Sequence, residues 1–174
     1  MLALTIQSVL LAFHNVALVI VAGAPFYFEF LLESRASRGT GYLRGTDAVI
    51  TEAFLKSAPW TMVMLLVLGI TGFGMPLNHR IMNGAFRDLN GVEAVAFAAK
   101  MVGVAILFTA AFAMNRGIIP QLAAVSGRFE AGSAGTGDEG QWTALVARRR
   151  LMLLAWRAGA GIALLSSAFL RFRG

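Results

Sequence analysis

His14 sits inside a mostly apolar run that starts at Leu2 and continues past Tyr27 to Leu32. A neutral imidazole can ligate haem iron through one ring nitrogen while a neighbouring acceptor orients the other. The bland alternative is a histidine hydrogen-bonded to an adjacent helix. Scarcity favours the ligand reading: the chain has 2 histidines, and the other, His79, closes a second apolar run. Met75 and Met101 lie at depths from which a thioether could reach a metal, although methionine more often fills gaps in a core. Lys100 stands about two turns inside a third apolar run. Its stem can snorkel to the headgroups, or its ammonium can bind a haem propionate or a quinone oxygen, or donate a proton. Glu29 and Arg157 lie at comparable depth near the other side of the membrane, and a charge in lipid wants a partner. A structural salt bridge between them is expected.

These residues need elements that hold them in a bilayer. The 174-residue chain is 57% hydrophobic and 14% charged, with a mean hydropathy of +0.70. Soluble domains carry about 25% charged residues, so the shortfall points to lipid. Spanning a hydrocarbon core of about 30 Å takes roughly 20 apolar residues. Four runs qualify, at about 2–32, 59–77, 94–115 and 151–170, predicting an all-α integral membrane four-helix bundle in a single domain. Ser57 and Pro59 fit the start of the second helix, and Pro120 fits the stop of the third. The stretch 33–56 reads as a polar connection with room for a short interfacial helix. The stretch of about 127–140, rich in Gly, Ser and acid, reads as a flexible loop. The first run lacks the positive start and short core of a signal peptide and is read as a retained helix.

Orientation follows from the basic residues. Arg35, Arg38, Arg44, Lys56, Arg116, Arg128, Arg148, Arg149 and Arg150 fall in the first and third connections. The second connection and the carboxyl end hold Arg80, Arg87, Arg171 and Arg173. The positive-inside rule then puts both termini on the outer, periplasmic side of a multi-pass inner (cytoplasmic) membrane protein. The net charge of +6 is accounted for in this way, and no nucleic-acid partner is implied. Trp60, Trp142 and Trp156 are expected to anchor the inner interface. Ala155, Gly159 and Ala163 give the fourth helix a small-residue face for close contact, and Gly69, Gly72 and Gly74 do the same on the second.

Depth decides whether the histidines share one iron. The first run is longer than a bilayer requires. If lipid begins at Leu2, His14 lies about 18 Å below the outer boundary, too deep for His79. If lipid begins near Leu11, the two are nearly level. Other chemistry is excluded by what is missing. With 0 cysteines there is no thiolate or disulfide, and no phosphate-binding glycine loop, paired intramembrane carboxylates or Ser-His-Asp set is present. Chemistry here belongs to a bound cofactor.

Leu11-Ala12-Phe13-His14, followed by Ala22-Gly23 and Phe26-Tyr27-Phe28, resembles the opening of the HemJ-type protoporphyrinogen oxidases and their relatives, among them the copper-resistance D membrane domain. The resemblance implies a four-helix membrane fold with a haem-ligating histidine near the outer end of the first helix, matched by His14. It also implies a functionally important lysine on the third helix, matched by Lys100. The leading expectation is a protein that binds haem b at His14, with His79 or a methionine as candidate second ligand and Lys100 beside the cofactor. It would act in electron transfer or as an accessory subunit of a larger membrane redox complex, as a homo-oligomer or with other subunits. A porphyrinogen oxidase and a cofactor-free structural subunit are the alternatives.

Overall fold

The computed structural model describes residues 2–36, 41–85 and 89–171, with side chains at 5–30, 32, 41–85 and 89–170. Arg38, Arg87 and Arg173, which contribute to the expected orientation, lie outside the described residues. Helix α1 spans Leu2–Ala36 and α2 spans Thr46–Asn83; α3 (Gly91–Ala113), a π-turn (Met114–Ile118) and α4 (Ile119–Glu130) form one continuous rod; α5 spans Asp138–Arg171. Four helices are therefore long and apolar enough to cross a membrane, and no strand occurs among the described residues. The protein is an all-helical, multi-pass membrane protein.

Each rod exceeds the expected span. The 38 residues of α2 rise about 57 Å at ~1.5 Å each, nearly twice a hydrocarbon core. The extra turns gather at the end bearing the α1–α2 and α4–α5 connections, here called the basic end. Before Pro59, the buried residues Asp47, Ile50, Thr51 and Phe54 recur at helical spacing, so this amphipathic stretch is continuous with the span beyond it. Ser57 is accordingly no N-cap; its hydroxyl donates to Phe54 O at 2.9 Å. The loop expected at about 127–140 shrinks to 131–137. Side-chain bonds fasten its flanks: Arg128 Nη2 donates to Asp138 Oδ1 at 2.6 Å and to Gln141 at 2.9 Å, while Asp138 Oδ2 accepts from Gly135 N at 2.8 Å. Glycine and serine content reveals none of this.

Helix ends follow local chemistry. Asn90 and Glu93 form a reciprocal capping box at the start of α3, satisfying two of its first amides. Gly84 ends α2 with φ of 74°, a left-handed conformation that glycine adopts without strain. Four of the rods' residues are prolines set inside or at the start of helices. Pro25, Pro59 and Pro76 sit in helix interiors, where each removes one backbone bond. Pro120 does not stop the third rod; the helix widens into the π-turn and continues as α4.

The helices form an up-and-down ring in which α1 adjoins α2, α2 adjoins the α3–α4 rod, that rod adjoins α5, and α5 adjoins α1. Among the described residues the diagonal backbones, α1 with α3 and α2 with α5, are not adjacent. The α3–α5 crossing is the tightest. A Cβ added at Gly159 would lie 2.7 Å from Gly103 O and from Leu107 N, and one at Gly103 would lie 2.8 Å from Ala163 N. The two backbones touch directly, as the small-residue face of α5 predicts. Trp60 is 68% exposed and faces outward, but Trp142 and Trp156 are 2% and 0% exposed. These two are core residues and not interface anchors, because the buried stripe of α5 runs through both of them and Leu145, Leu153, Ala160 and Ala163.

Candidate functional site

The end opposite the basic connections holds the polar residues singled out for chemistry. On α1, His14 is half-buried and precedes Ala17, Val21, Pro25 and Phe28, all buried, at helical spacing. It therefore lies on the inward stripe. Its Nδ1 is 3.0 Å from Thr71 Oγ1 on α2. The Thr71 hydroxyl proton is directed to Val67 O at 2.7 Å, so the threonine oxygen accepts and His14 Nδ1–H donates. With the hydroxyl so directed the proton is on Nδ1 and the lone pair on Nε2, whereas a hydroxyl turned to His14 gives the other tautomer. Gly72 faces the ring, and a Cβ there would lie in ordinary contact with it, 3.5 Å from His14 Cε1.

The α1–α2 register is regular from this point outward. A Cβ at Gly74 would be 3.5 Å from Leu10, and Asn78 Nδ2 donates to Gln7 Oε1 at 2.9 Å. His14 is thus level with Thr71. His79 is eight residues further along α2, about 12 Å in axial rise, and its side chain is exposed. The structure does not bring the two histidines together. Met75, one turn beyond Thr71, is half-buried, while Met101 is 40% exposed.

Lys100 is half-buried on α3. It shares a stripe with the buried residues Glu93, Ala96, Gly103 and Leu107. Phe108 packs against Gly69 of α2, 3.7 Å from a Cβ built there, which sets Lys100 level with Leu77 and Asn78. It stands about 9 Å nearer this end than His14, on the helix diagonally across the ring. Outside the ring, an apolar groove of about 450 Å³ separates α3 from the end of α5, lined by Val92, Val95, Ala96, Leu165, Ser166 and Phe169 among others. Among the described residues no three His, Cys, Asp or Glu side chains cluster as a metal site.

Towards the basic end, Arg157 forms the expected salt bridge with Glu29. Beyond it Arg149, 3% exposed, lies over the Phe54 ring at 5.6 Å, and Phe54 stacks on Phe28 at 4.0 Å. The connection between α1 and α2 is latched to α4. Tyr42 Oη lies 2.8 Å from Ser126 Oγ and donates to Glu130 Oε1 at 2.7 Å, and Glu130 also accepts Gly45 N–H at 3.0 Å. The Tyr42 ring stacks on Phe129 at 4.5 Å.

Sequence reasoning missed Thr71, whose helical spacing from Leu68 and Leu65 places it on the inward face of α2. It also missed Gly103, the partner of the small-residue face, and Asn115, which lies buried within the π-turn. Comparison with protein-family models, curated proteins and solved structures gave no match.

Proposed function

We propose that this chain is an inner-membrane b-haem protein with His14 as the axial ligand, working in electron transfer within a larger membrane assembly. The observation that carries the reading is the His14–Thr71–Val67 relay. In this reading Thr71 accepts from His14 Nδ1–H, which would leave the Nε2 lone pair for the iron, and a hydrogen bond at Nδ1 raises ligand basicity. Histidine chemistry and placement on the inward stripe fit one axial bond. His79, far along α2 and exposed, is left out of the same coordination sphere. Lys100 supplies a positive charge nearer the membrane surface, suited to a propionate or a quinone oxygen. The haem would contribute one-electron chemistry, and the chain would contribute orientation, a fixed tautomer and an apolar surround.

In this reading the basic end is cytoplasmic and both termini are periplasmic. Arg35, Arg44, Lys56, Arg116, Arg128 and Arg148 to Arg150 are at that end, against Arg80 and Arg171 at the other. Purified in mild detergent, the protein is expected to give a b-type reduced-minus-oxidised spectrum that His14→Ala abolishes. A well-folded, colourless protein from haem-replete cells overturns the proposal. Because the chain has 0 cysteines, a Ser133→Cys variant tests the orientation cleanly: an impermeant maleimide should label it in inverted vesicles and not in spheroplasts.

A further inference from the structure

The π-turn leaves one residue with two polar groups that the helix does not satisfy. In an α-helix, Asn115 O accepts from the N–H of residue 119. Here the Ile119 N–H goes instead to Met114 O, one residue earlier. If the wide register continued, the donor for Asn115 O would be residue 120, which is proline and has no N–H. The α route and the π route to this carbonyl are both closed.

The side chain of the same residue shares the problem. Asn115 is 7% exposed, and among the described residues its Nδ2 has no hydrogen-bond partner. Its surroundings are dry: Ala111 and Ile119, one turn to either side, are 0% and 1% exposed, and Met114 is 0% exposed. A buried amide donor without a partner, beside a carbonyl to which the widened register brings no backbone donor, is costly in such a place.

We propose that the π-turn holds a single internal water molecule, which accepts from Asn115 Nδ2 and donates to Asn115 O. Water is the smallest group that both donates and accepts, and internal waters occur where polar groups are otherwise unsatisfied. The burial of Asn115 leaves no passage for a larger polar molecule. The change from wide to ordinary register at Ile119 passes over Asn115 O, and Pro120 has no N–H that could reach back to it. The inference is independent of the haem reading and concerns the opposite half of the bundle.

The test rests on a change of sign. With the water present, Asn115→Leu removes one of its two anchors and strands the carbonyl, so the melting temperature of the detergent-solubilised protein falls. In a Pro120→Ala background the N–H of residue 120 can bond Asn115 O directly, the water has no role, and Asn115→Leu raises the melting temperature. A dry site predicts a rise in both backgrounds, and that result overturns the proposal. Should a variant fail to fold, the wild-type protein in nanodiscs decides the matter at a resolution that shows solvent. A peak within about 3 Å of both Asn115 Nδ2 and Asn115 O is expected. A well-ordered turn without that peak, or with density for a larger group, overturns the proposal.

Discussion

The indole Nε1 of Trp156 donates to Val21 O at 3.0 Å, joining α5 to α1 in the fully buried core. This carbonyl is free because the residue four positions on is Pro25, which has no N–H to return to it. A proline in one helix thus specifies an aromatic donor in another. Trp156→Phe keeps the ring but strands the carbonyl, and is expected to destabilise the protein by about 1–3 kcal/mol. Adding Pro25→Ala supplies an N–H within α1 and should recover much of that loss. Thermal or denaturant unfolding of the four proteins in the cycle measures the coupling, and additive effects would rule out the pairing.

The Gly103–Gly159 crossing yields a contrast between neighbouring glycines. Alanine is favoured over glycine in a helix by about 1 kcal/mol, so a glycine with open space around it is a site for stabilisation. Gly161 is such a site, with nothing within 4 Å of an added Cβ. At Gly159 the added atom would meet Gly103 O and Leu107 N, both backbone, at 2.7 Å, and only separation of the helices relieves the clash. Gly161→Ala should hold or raise the melting temperature, and Gly159→Ala should lower it clearly. Equal behaviour of the two would mean that α3 and α5 are further apart than described.

The spans, the small-residue face of Ala155, Gly159 and Ala163, and the Glu29–Arg157 pair were legible in the sequence, because each depends on composition or on spacing within one helix. What was not legible depends on register between helices. The depth of His14 relative to His79 is fixed by Leu10 against Gly74 and by Gln7 with Asn78, and neither contact has a signature in one strand of sequence. Trp142 and Trp156 read as interface anchors by position; their burial follows from the rotation of α5, which its partners set. A short helix within 33–56 was allowed for, but its continuity with the second span through Asp47 to Phe54 was not, since the stretch is polar enough to pass for a connection until its buried face is seen. Pro120 marked a break, but the local answer, a π-turn and not a stop, reflects the packing of Met114, Ile118 and Ile119.

The tautomer of His14 can be checked without any cofactor. Thr71→Val conserves shape and removes the acceptor for Nδ1–H. In the wild type, selectively ¹⁵N-labelled histidine should show a protonated Nδ1 and a bare Nε2 for His14 at neutral pH. In Thr71→Val the preference should relax towards a mixture of tautomers. A wild-type ring already protonated on Nε2 would remove the main support for a haem ligand at this position. If haem binds, the same variant should also raise its midpoint potential, because a less basic imidazole stabilises ferric iron less, and should lower haem retention relative to wild type.

The latch at the basic end predicts a pH window. Glu130 is held below the usual carboxylate value of 4.5, first by the Tyr42 hydroxyl and then by Gly45 N–H and the charge of Arg44. Asp138 is held below its usual 3.8, chiefly by Arg128. Tyr42 is pushed up from 10.0 to about 12, foremost by burial, with Glu130 adding to the rise and Ser126 opposing it. A depressed carboxylate stabilises the fold above its unfolded value and loses that contribution as pH falls through the folded one. A raised phenol acts oppositely, contributing fully below its unfolded value and losing this as pH climbs through the folded one. The latch should therefore be closed between about pH 5 and pH 10 and loosen on either side. Hydrogen–deuterium exchange of the amides of residues 41–46, corrected for intrinsic rates, should show protection at pH 7 that is reduced at pH 3.5. Glu130→Gln should remove most of the acid-side change attributable to Tyr42 and Gly45, leaving the Asp138 contribution near the α4–α5 connection. Protection that is flat across this range in the wild type would show that the Tyr42–Glu130 bond does not fasten the connection.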